Sequence, residues 1–210
     1  MNAPAGTASV ATPLVLIVDD DEGIREALAD LLRSVGIEAK SFGSTRELLD
    51  AAPADRPGCL VLDVRLPGLS GLDLQAQLAR SGNTRPIIFM TGHGDIPMSV
   101  RAMKAGATDF LTKPFRDQDM LDAVAAAIDK DMGQRRDAAA AKEVAALAAT
   151  LTPRETEVMV AVVKGLMNKQ IAGLLGISEI TVKLHRGNVM RKMAVRSVAD
   201  LVRRAELLGH

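Results

Sequence analysis

The chain has 210 residues, with 26 Lys and Arg balancing 26 Asp and Glu, one cysteine, four phenylalanines and no tryptophan or tyrosine. That length suits one large or two modest domains, and no apolar run reaches the ~18 residues of a membrane span, so no membrane partner is expected. The zero net charge conceals a division: residues 150–210 hold ten Lys and Arg and five Asp and Glu, a net of +5, which leaves −5 on residues 1–149.

Residues 1–13 are small, polar and uncharged, lack the basic and apolar blocks of a signal peptide, and read as a disordered tail. Leu14–Val18 is an unbroken apolar run, the pattern of a strand buried on both faces, and Asp19-Asp20-Asp21 follows it. Asp21 suits the cap of the next helix, where Ile24, Ala27, Leu28, Leu31, Leu32 and Val35 recur at helical spacing before Gly36. A short strand over 37–42 and a helix capped by Ser44 lead to Cys59-Leu-Val-Leu-Asp63, a second apolar run that ends on one carboxylate and the Pro67-Gly68 turn. Cys59 lies inside this run, so it can form no intrachain disulfide, and a reducing cytoplasm fits. The alternation continues with a helix over 72–80, a strand over 86–90 ending at Thr91, a helix over 96–105 and a strand over 108–112 closing on Lys113-Pro114. Five strands alternating with helices argue for a parallel, doubly wound sheet.

In such a sheet the strands' carboxyl ends share one edge, which would gather Asp19, Asp20, Asp63, Thr91 and Lys113. Crowded carboxylates are hard oxygen ligands of the kind Mg2+ prefers. A carboxylate beside a divalent cation can attack phosphorus and become an aspartyl phosphate. Lys113 and the Thr91 hydroxyl would supply the positive charge and the donor that phosphoryl transfer needs.

Residues 131–149 are alanine-rich, carry no strand signal and read as a helical linker with Gly133 as its weak point. Thr152-Pro153-Arg154-Glu155 then combines an N-cap, a proline at the first helical position and an acidic first turn. Asn168 reads as the cap of a helix over 169–175, Ser178 as that of a helix over 179–193, and Ser197 as that of one over 198–208. Two short helices joined by Gly176-Ile177-Ser178, the second rich in Lys, Arg, His and Asn, form a helix-turn-helix candidate. The basic charge of this part suits nucleic acid.

Two resemblances attach to these motifs. Asp19-Asp20, Asp63 with Pro67-Gly68, Thr91-Gly92 and Lys113-Pro114-Phe115, in that order within residues 14–130, look like the receiver domain of two-component response regulators. The resemblance implies that Asp63 accepts a phosphoryl group from a sensor histidine kinase. It implies that Asp19, Asp20, Asp63 and the main-chain carbonyl of Arg65 hold Mg2+, with Asp19 acting through water. Thr91 and Lys113 become the catalytic partners, the Lys113–Pro114 bond is expected to be cis, and Phe110 stands as the aromatic switch where many receivers carry Tyr. Arg65 and His93, two residues beyond Asp63 and Thr91, are expected to overhang the phosphoryl group.

Leu151-Thr-Pro-Arg-Glu155, Asn168-Lys-Gln-Ile-Ala172, Ser178 and Thr181-Val-Lys183-Leu-His185-Arg186 resemble the LuxR/NarL-type DNA-binding domain over residues 151–208. That likeness turns Lys183, Leu184 and Gly187 toward the major groove, Gly187 departing from members with a basic residue there. Lys169, Thr181, His185 and Arg186 are expected on phosphate or sugar, Asn188 completes the DNA-binding set, and Val182, Val189 and Met193 belong to the core. His185 equally suits a half-buried structural place.

The chain is thus expected to be a response regulator of the NarL/FixJ family, FixJ-like branch. It would comprise an α/β receiver with a five-stranded, flavodoxin-like sheet (14–130), the linker (131–149) and an all-α helix-turn-helix domain (150–210). Its expected partners are the kinase, double-stranded promoter DNA, a second copy of itself after phosphorylation, and RNA polymerase. It would be cytoplasmic, and no enzyme beyond self-phosphotransfer and autodephosphorylation at Asp63. Two other classes stay open. A DNA-binding regulator with a merely dimerising pseudo-receiver would take up neither magnesium nor phosphate. An aspartyl-phosphate phosphatase would use Asp19 as nucleophile and Asp21 as acid/base, and would trap phosphate on Asp19 instead of Asp63.

Overall fold

The computed structural model describes residues 12–92 and 96–209, and the chain divides into two compact units between Arg135 and Arg136. Most of the expected N-terminal tail, residues 1–11, and His93 lie outside the described residues.

The first unit runs β1 (Leu14–Val18), α1 (Glu22–Ser34), β2 (Glu38–Phe42), α2 (Thr45–Ala51), β3 (Gly58–Asp63), α3 (Gly71–Arg80), β4 (Ile87–Thr91), α4 (Ile96–Lys104), β5 (Asp109–Thr112) and the start of α5 (Asp117–Ala148). The strands form one sheet in the order β2-β1-β3-β4-β5, every pair parallel. This is the doubly wound arrangement expected from the alternation, with element ends displaced by a residue or so.

The apolar strands are buried along their whole length because both faces of the sheet are covered. Successive side chains alternate between the faces. Leu14, Leu16, Val18, Leu60, Leu62 and Phe89 pack on one side with Leu48 of α2, Leu74 of α3 and Ala102 of α4. Val15, Ile17, Cys59, Val61, Ile88 and Met90 pack on the other with Leu28 and Leu32 of α1 and Met120, Val124 and Ile128 of α5. Burial pushes the Cys59 thiol up to about 12, which keeps it neutral and inert.

The start of β3 is tied to α5 by charge. The Gly58 amide donates to buried Asp131 at 2.9 Å, and Arg135 Nε lies 2.7 Å from the same carboxylate oxygen while its guanidinium also reaches Asp55 at 2.6 Å. Gly58 has φ 153°, and a Cβ there would fall 1.9 Å from the Leu14 carbonyl oxygen, so only glycine fits.

α5 continues through Gly133 without a break to Ala148, because a helix rich in alanine tolerates one glycine at a cost of about 1 kcal/mol. Its last turns enter the core of the second unit, where Val144 is buried and Leu147 and Ala148 pack beside it. The second unit continues with α6 (Pro153–Val163), α7 (Asn168–Leu175), α8 (Glu179–Lys192) and α9 (Val198–Glu206) around Val158, Met159, Val162, Ile171, Val182, Val189, Met193 and Leu201.

Caps set the ends of these helices. Thr152 and Glu155 form a reciprocal capping box, Ser178 accepts from the Thr181 amide and Ser197 from the Asp200 amide. Asn168 departs from its expected role as a cap. It is the first residue of α7, and the Gln170 side chain instead accepts from the Met167 amide at 2.8 Å.

Glu155 does more than cap. Its Oε2 also receives the Lys192 ammonium at 2.6 Å, and Lys192 donates in turn to the Thr150 carbonyl, so α6 and the end of α8 are joined by one carboxylate. The Lys192 hydrogen bond, followed by the Thr152 amide, holds the Glu155 carboxyl at about 2, well below its usual 4.5. A depressed carboxyl pKa contributes stability that is complete above 4.5 and is lost as pH falls toward 2. In urea unfolding of residues 136–210, the stability advantage of wild type over Glu155→Gln should therefore shrink across that window. A pH-independent gap would show that the Lys192 pairing does not stabilise the fold.

Candidate functional site

Because the sheet is parallel, the carboxyl ends of β1, β3, β4 and β5 fall on one edge, and the reversal of strand order between β1 and β3 leaves a crevice there. Asp19 directly follows β1 and is fully buried. Its Oδ1 accepts from the Asp21 amide at 2.9 Å, and Arg25 of α1 donates to its main-chain carbonyl at 2.8 Å. Asp21 itself is occupied as the cap of α1, accepting from the Ile24 amide at 3.2 Å. Asp63 closes β3, is 8% exposed, and accepts from the Arg65 amide at 3.2 Å. Gly71 opens α3 so close behind that a Cβ would lie 2.4 Å from the Asp63 carbonyl oxygen.

Lys113 comes from the far strand to join them. Its amide donates to the Thr91 carbonyl at 2.7 Å, which continues the β4–β5 pairing past the strand end, and the Lys113–Pro114 bond is cis. Its ammonium reaches Asp19 Oδ2 at 2.5 Å and Asp63 Oδ2 at 3.2 Å. Burial, the largest single influence, disfavours the charged ammonium, but the hydrogen bonds and charges of Asp19 and Asp63 together outweigh it and raise the Lys113 pKa.

Asp19, Asp20 and Asp63 each place a carboxylate oxygen within 4.8 Å of the others, with Asp20 exposed. Three carboxylates against one ammonium leave an excess of negative charge among hard oxygen donors, and this donor set fits Mg2+. Thr91 is fully buried at the end of β4, and Arg65 is exposed. The half-buried Phe110 ring packs against Phe89, with centroids 6.3 Å apart. Sequence reasoning missed Arg25, whose support of Asp19 has no local signal because it depends on how α1 leaves the sheet.

The second candidate site is the exposed side of α8. Val182 and Val189 are buried and fix which way the helix faces. Lys183, Leu184 and Gly187 are exposed together on the opposite side, and Lys169 is exposed on α7. Thr181 is half-buried, with its hydroxyl 2.8 Å from that of Ser178. His185 is half-buried, and its Nδ1 is enclosed without a hydrogen-bond partner among the described residues. Arg186 points back into the unit and donates to Asn168 Oδ1 at 2.8 Å, clamping α8 to the start of α7. Asn188 accepts from Arg191 at 3.2 Å. Ile180, absent from the sequence reading, is 80% exposed, and its signal was its place four residues before Leu184.

Comparison with known proteins assigns a family to each unit. Residues 15–125 match the family described as response regulator receiver domain, and residues 149–205 the family described as bacterial regulatory proteins, luxR family. Nodulation protein W of Bradyrhizobium diazoefficiens is 56% identical over 203 residues, which span 97% of this chain and 89% of that protein. The transcriptional regulatory protein FixJ of Azorhizobium caulinodans is 47% identical over 196 residues, 93% of this chain and 92% of that protein. The solved structure of response regulator StyR is similar with a TM-score of 0.81 at 48% identity, covering 93% of this chain and 99% of that one. Among the described residues no helix is long and apolar enough to cross a membrane.

The Asn168–Arg186 bond separates two roles that the sequence alone assigns alike. Arg186→Ala should lower the unfolding free energy of the second unit by about 1–2 kcal/mol, the loss of a half-buried charged hydrogen bond. Lys169→Ala, at an exposed position, should change it by less than about 0.5 kcal/mol. Equal stabilities in urea unfolding would show that Arg186 holds nothing together.

Proposed function

The chain belongs to the NarL/FixJ family of two-component response regulators, with a receiver domain and a LuxR-type helix-turn-helix domain, and on that premise we propose that it is a transcription factor gated by phosphorylation of Asp63. The observation that carries this reading is the convergence of Asp19, Asp63 and Lys113 from three strand ends. A sensor histidine kinase presents a phosphohistidine. One Asp63 oxygen attacks phosphorus as the P–N bond breaks, and the imidazole leaves with that electron pair. Asp19, Asp20, Asp63 and the Arg65 carbonyl would hold Mg2+, which when bound would supply positive charge against the crowded carboxylates and the phosphoryl oxygens. Lys113 pairs with the charge that develops on the transferred group, and Thr91 supplies its hydroxyl. An apolar recess of about 450 Å3, lined by Ile24, Leu28, Leu31 and Phe115 beside Lys113, supports docking of the kinase next to this pocket.

The phosphoryl group brings a charge of about −1.5 to −2 to a pocket already rich in carboxylates. Lys113, Thr91 and Phe110 adjust to it, two receivers pair, and each DNA domain gains a high effective concentration of its partner. One copy presents one recognition helix, so a dimer on two half-sites of promoter DNA is the binding species, with α9 supplying the contact between DNA domains. Within the DNA contacts, Lys169, Thr181, His185, Arg186 and Asn188 position the domain, while Lys183, Leu184 and Gly187 meet base edges. The protein works in the cytoplasm, and RNA polymerase is the partner through which bound DNA becomes a change in transcription.

Two measurements test this. Asp63→Asn preserves side-chain volume and should abolish labelling by acetyl phosphate on a phosphate-affinity gel while leaving the circular dichroism spectrum unchanged. Full labelling of that variant would transfer the phosphoacceptor role elsewhere. In DNA binding, Lys169→Ala should weaken all duplexes alike and reduce the salt slope by about 0.9 for each phosphate no longer neutralised. Lys183→Ala should instead erase preference at one base position at a cost of about 1–3 kcal/mol. Identical behaviour of the two variants would collapse the division between positioning and reading residues.

A further inference from the structure

The exposed face of α8 is unusual for a surface meant to meet a polyanion. Ile180 is 80% exposed and Leu184 is 63% exposed, although α8 has buried Val182 and Val189 to serve the core. The spacing from 180 to 184 to 187 places Ile180, Leu184 and Gly187 along one line of the helix, with neighbours about 5–6 Å apart. A Cβ added at Gly187 would meet nothing within 4 Å, so the line ends in a gap and not in a packed contact. Lys183 lies beside this line, and Lys169 of α7 is exposed as well. Two large aliphatic side chains thus stand free within a basic surface.

We propose that Ile180 and Leu184 form an apolar reading edge for thymine, each seating the C5-methyl group of a different base pair, while Gly187 leaves room for α8 to lie close to the duplex. The inference rests on the DNA-binding reading of this unit and adds to it what is read. The chemistry that points to thymine is simple. Among the groups that base pairs present in the major groove, the thymine methyl is the one apolar feature, and all others are hydrogen-bond donors or acceptors. An aliphatic side chain gains nothing from those polar edges and would strip water from them, whereas it gains by covering a methyl. The surrounding charge selects the occupant. A second copy of this unit would bring a net of +5 against the same +5, whereas DNA brings the opposite sign. Lys183, three residues from Ile180 and adjacent to Leu184, would then read a purine acceptor next to the methyl contacts.

The test uses the full chain treated with acetyl phosphate and duplexes that the protein itself enriches from a random-sequence library. In the best duplex each thymine is replaced, one at a time, by deoxyuridine, which pairs identically and lacks only the methyl. At two positions of each half-site the replacement should weaken binding by about fourfold, the weight of one buried methyl. Ile180→Ala should remove the deoxyuridine effect at one of these positions and Leu184→Ala at the other, with the salt slope unchanged. Both side chains are exposed, so neither variant should unfold the unit, and an unchanged urea midpoint checks this. Tight binding that is indifferent to every thymine methyl overturns this proposal while leaving the DNA-binding reading intact. Failure to enrich any duplex, with or without acetyl phosphate, overturns the DNA-binding reading and this proposal with it. A change of oligomeric state in Ile180→Ala or Leu184→Ala, with methyl sensitivity retained, assigns the edge to a protein contact and also overturns the proposal.

Discussion

One ammonium group organises the first unit. Lys113 Nζ sits 2.5 Å from Asp19 and 3.2 Å from Asp63, so a single charge on the last strand ties together the ends of the two central ones. Fully buried Asp19 would be costly as an isolated carboxylate, and Lys113, itself largely enclosed, offsets part of that cost. The compensation is incomplete, since Asp20 and Asp63 add negative charge that one lysine cannot balance. A site left short of positive charge, among hard oxygen donors, suits a divalent cation. The sheet makes this arrangement stiff, because each carboxylate is anchored at a strand end within a core packed on both faces.

The same sheet is held at its other edge by a second charged group. Buried Asp131 of α5 accepts from the amide at the start of β3, and Arg135 joins that carboxylate to Asp55. β3 is therefore pinned at both ends, at Gly58 through α5 and at Asp63 through Lys113. A strand so fixed cannot slide, and Asp63 keeps its distance from the ammonium. Gly58 and Gly71 serve this placement by letting backbone approach backbone where any Cβ would collide.

In the second unit polar clamps free an apolar surface. Glu155 and Lys192 join α6 to the end of α8, and Asn168 and Arg186 join α7 to its middle. These bonds, with Val182 and Val189 in the core, fix the rotation of α8 about its axis. Ile180 and Leu184 are thereby committed to solvent, a placement that burial alone would disfavour. Arg186 gives one basic side chain a part in the fold as well, since its guanidinium holds α8 to Asn168 at the start of α7.

Much of this was legible in the chain alone, for reasons that are local. The apolar runs at Leu14–Val18 and Cys59–Asp63, each ending in carboxylate, declare buried parallel strands, and parallel strands put their ends on one edge whatever else the protein does. Thr152, Ser178 and Ser197 mark helix starts because a cap acts within three residues. Tertiary structure alone decided what joins residues far apart. Arg25 beneath Asp19 and Asp131 against Gly58 follow from how helices return to the sheet, which no periodicity records. Asn168 has the residue type of a cap, yet the packing of α7 against α8 brings Arg186 to its side chain and leaves Gln170 to satisfy the Met167 amide. The sequence determined which residues stand at strand ends and helix starts, because those positions are set by neighbours in the chain. Which cation meets which carboxylate, and which leucine faces water, was decided by packing, because such contacts exist only once the whole backbone has closed around its cores.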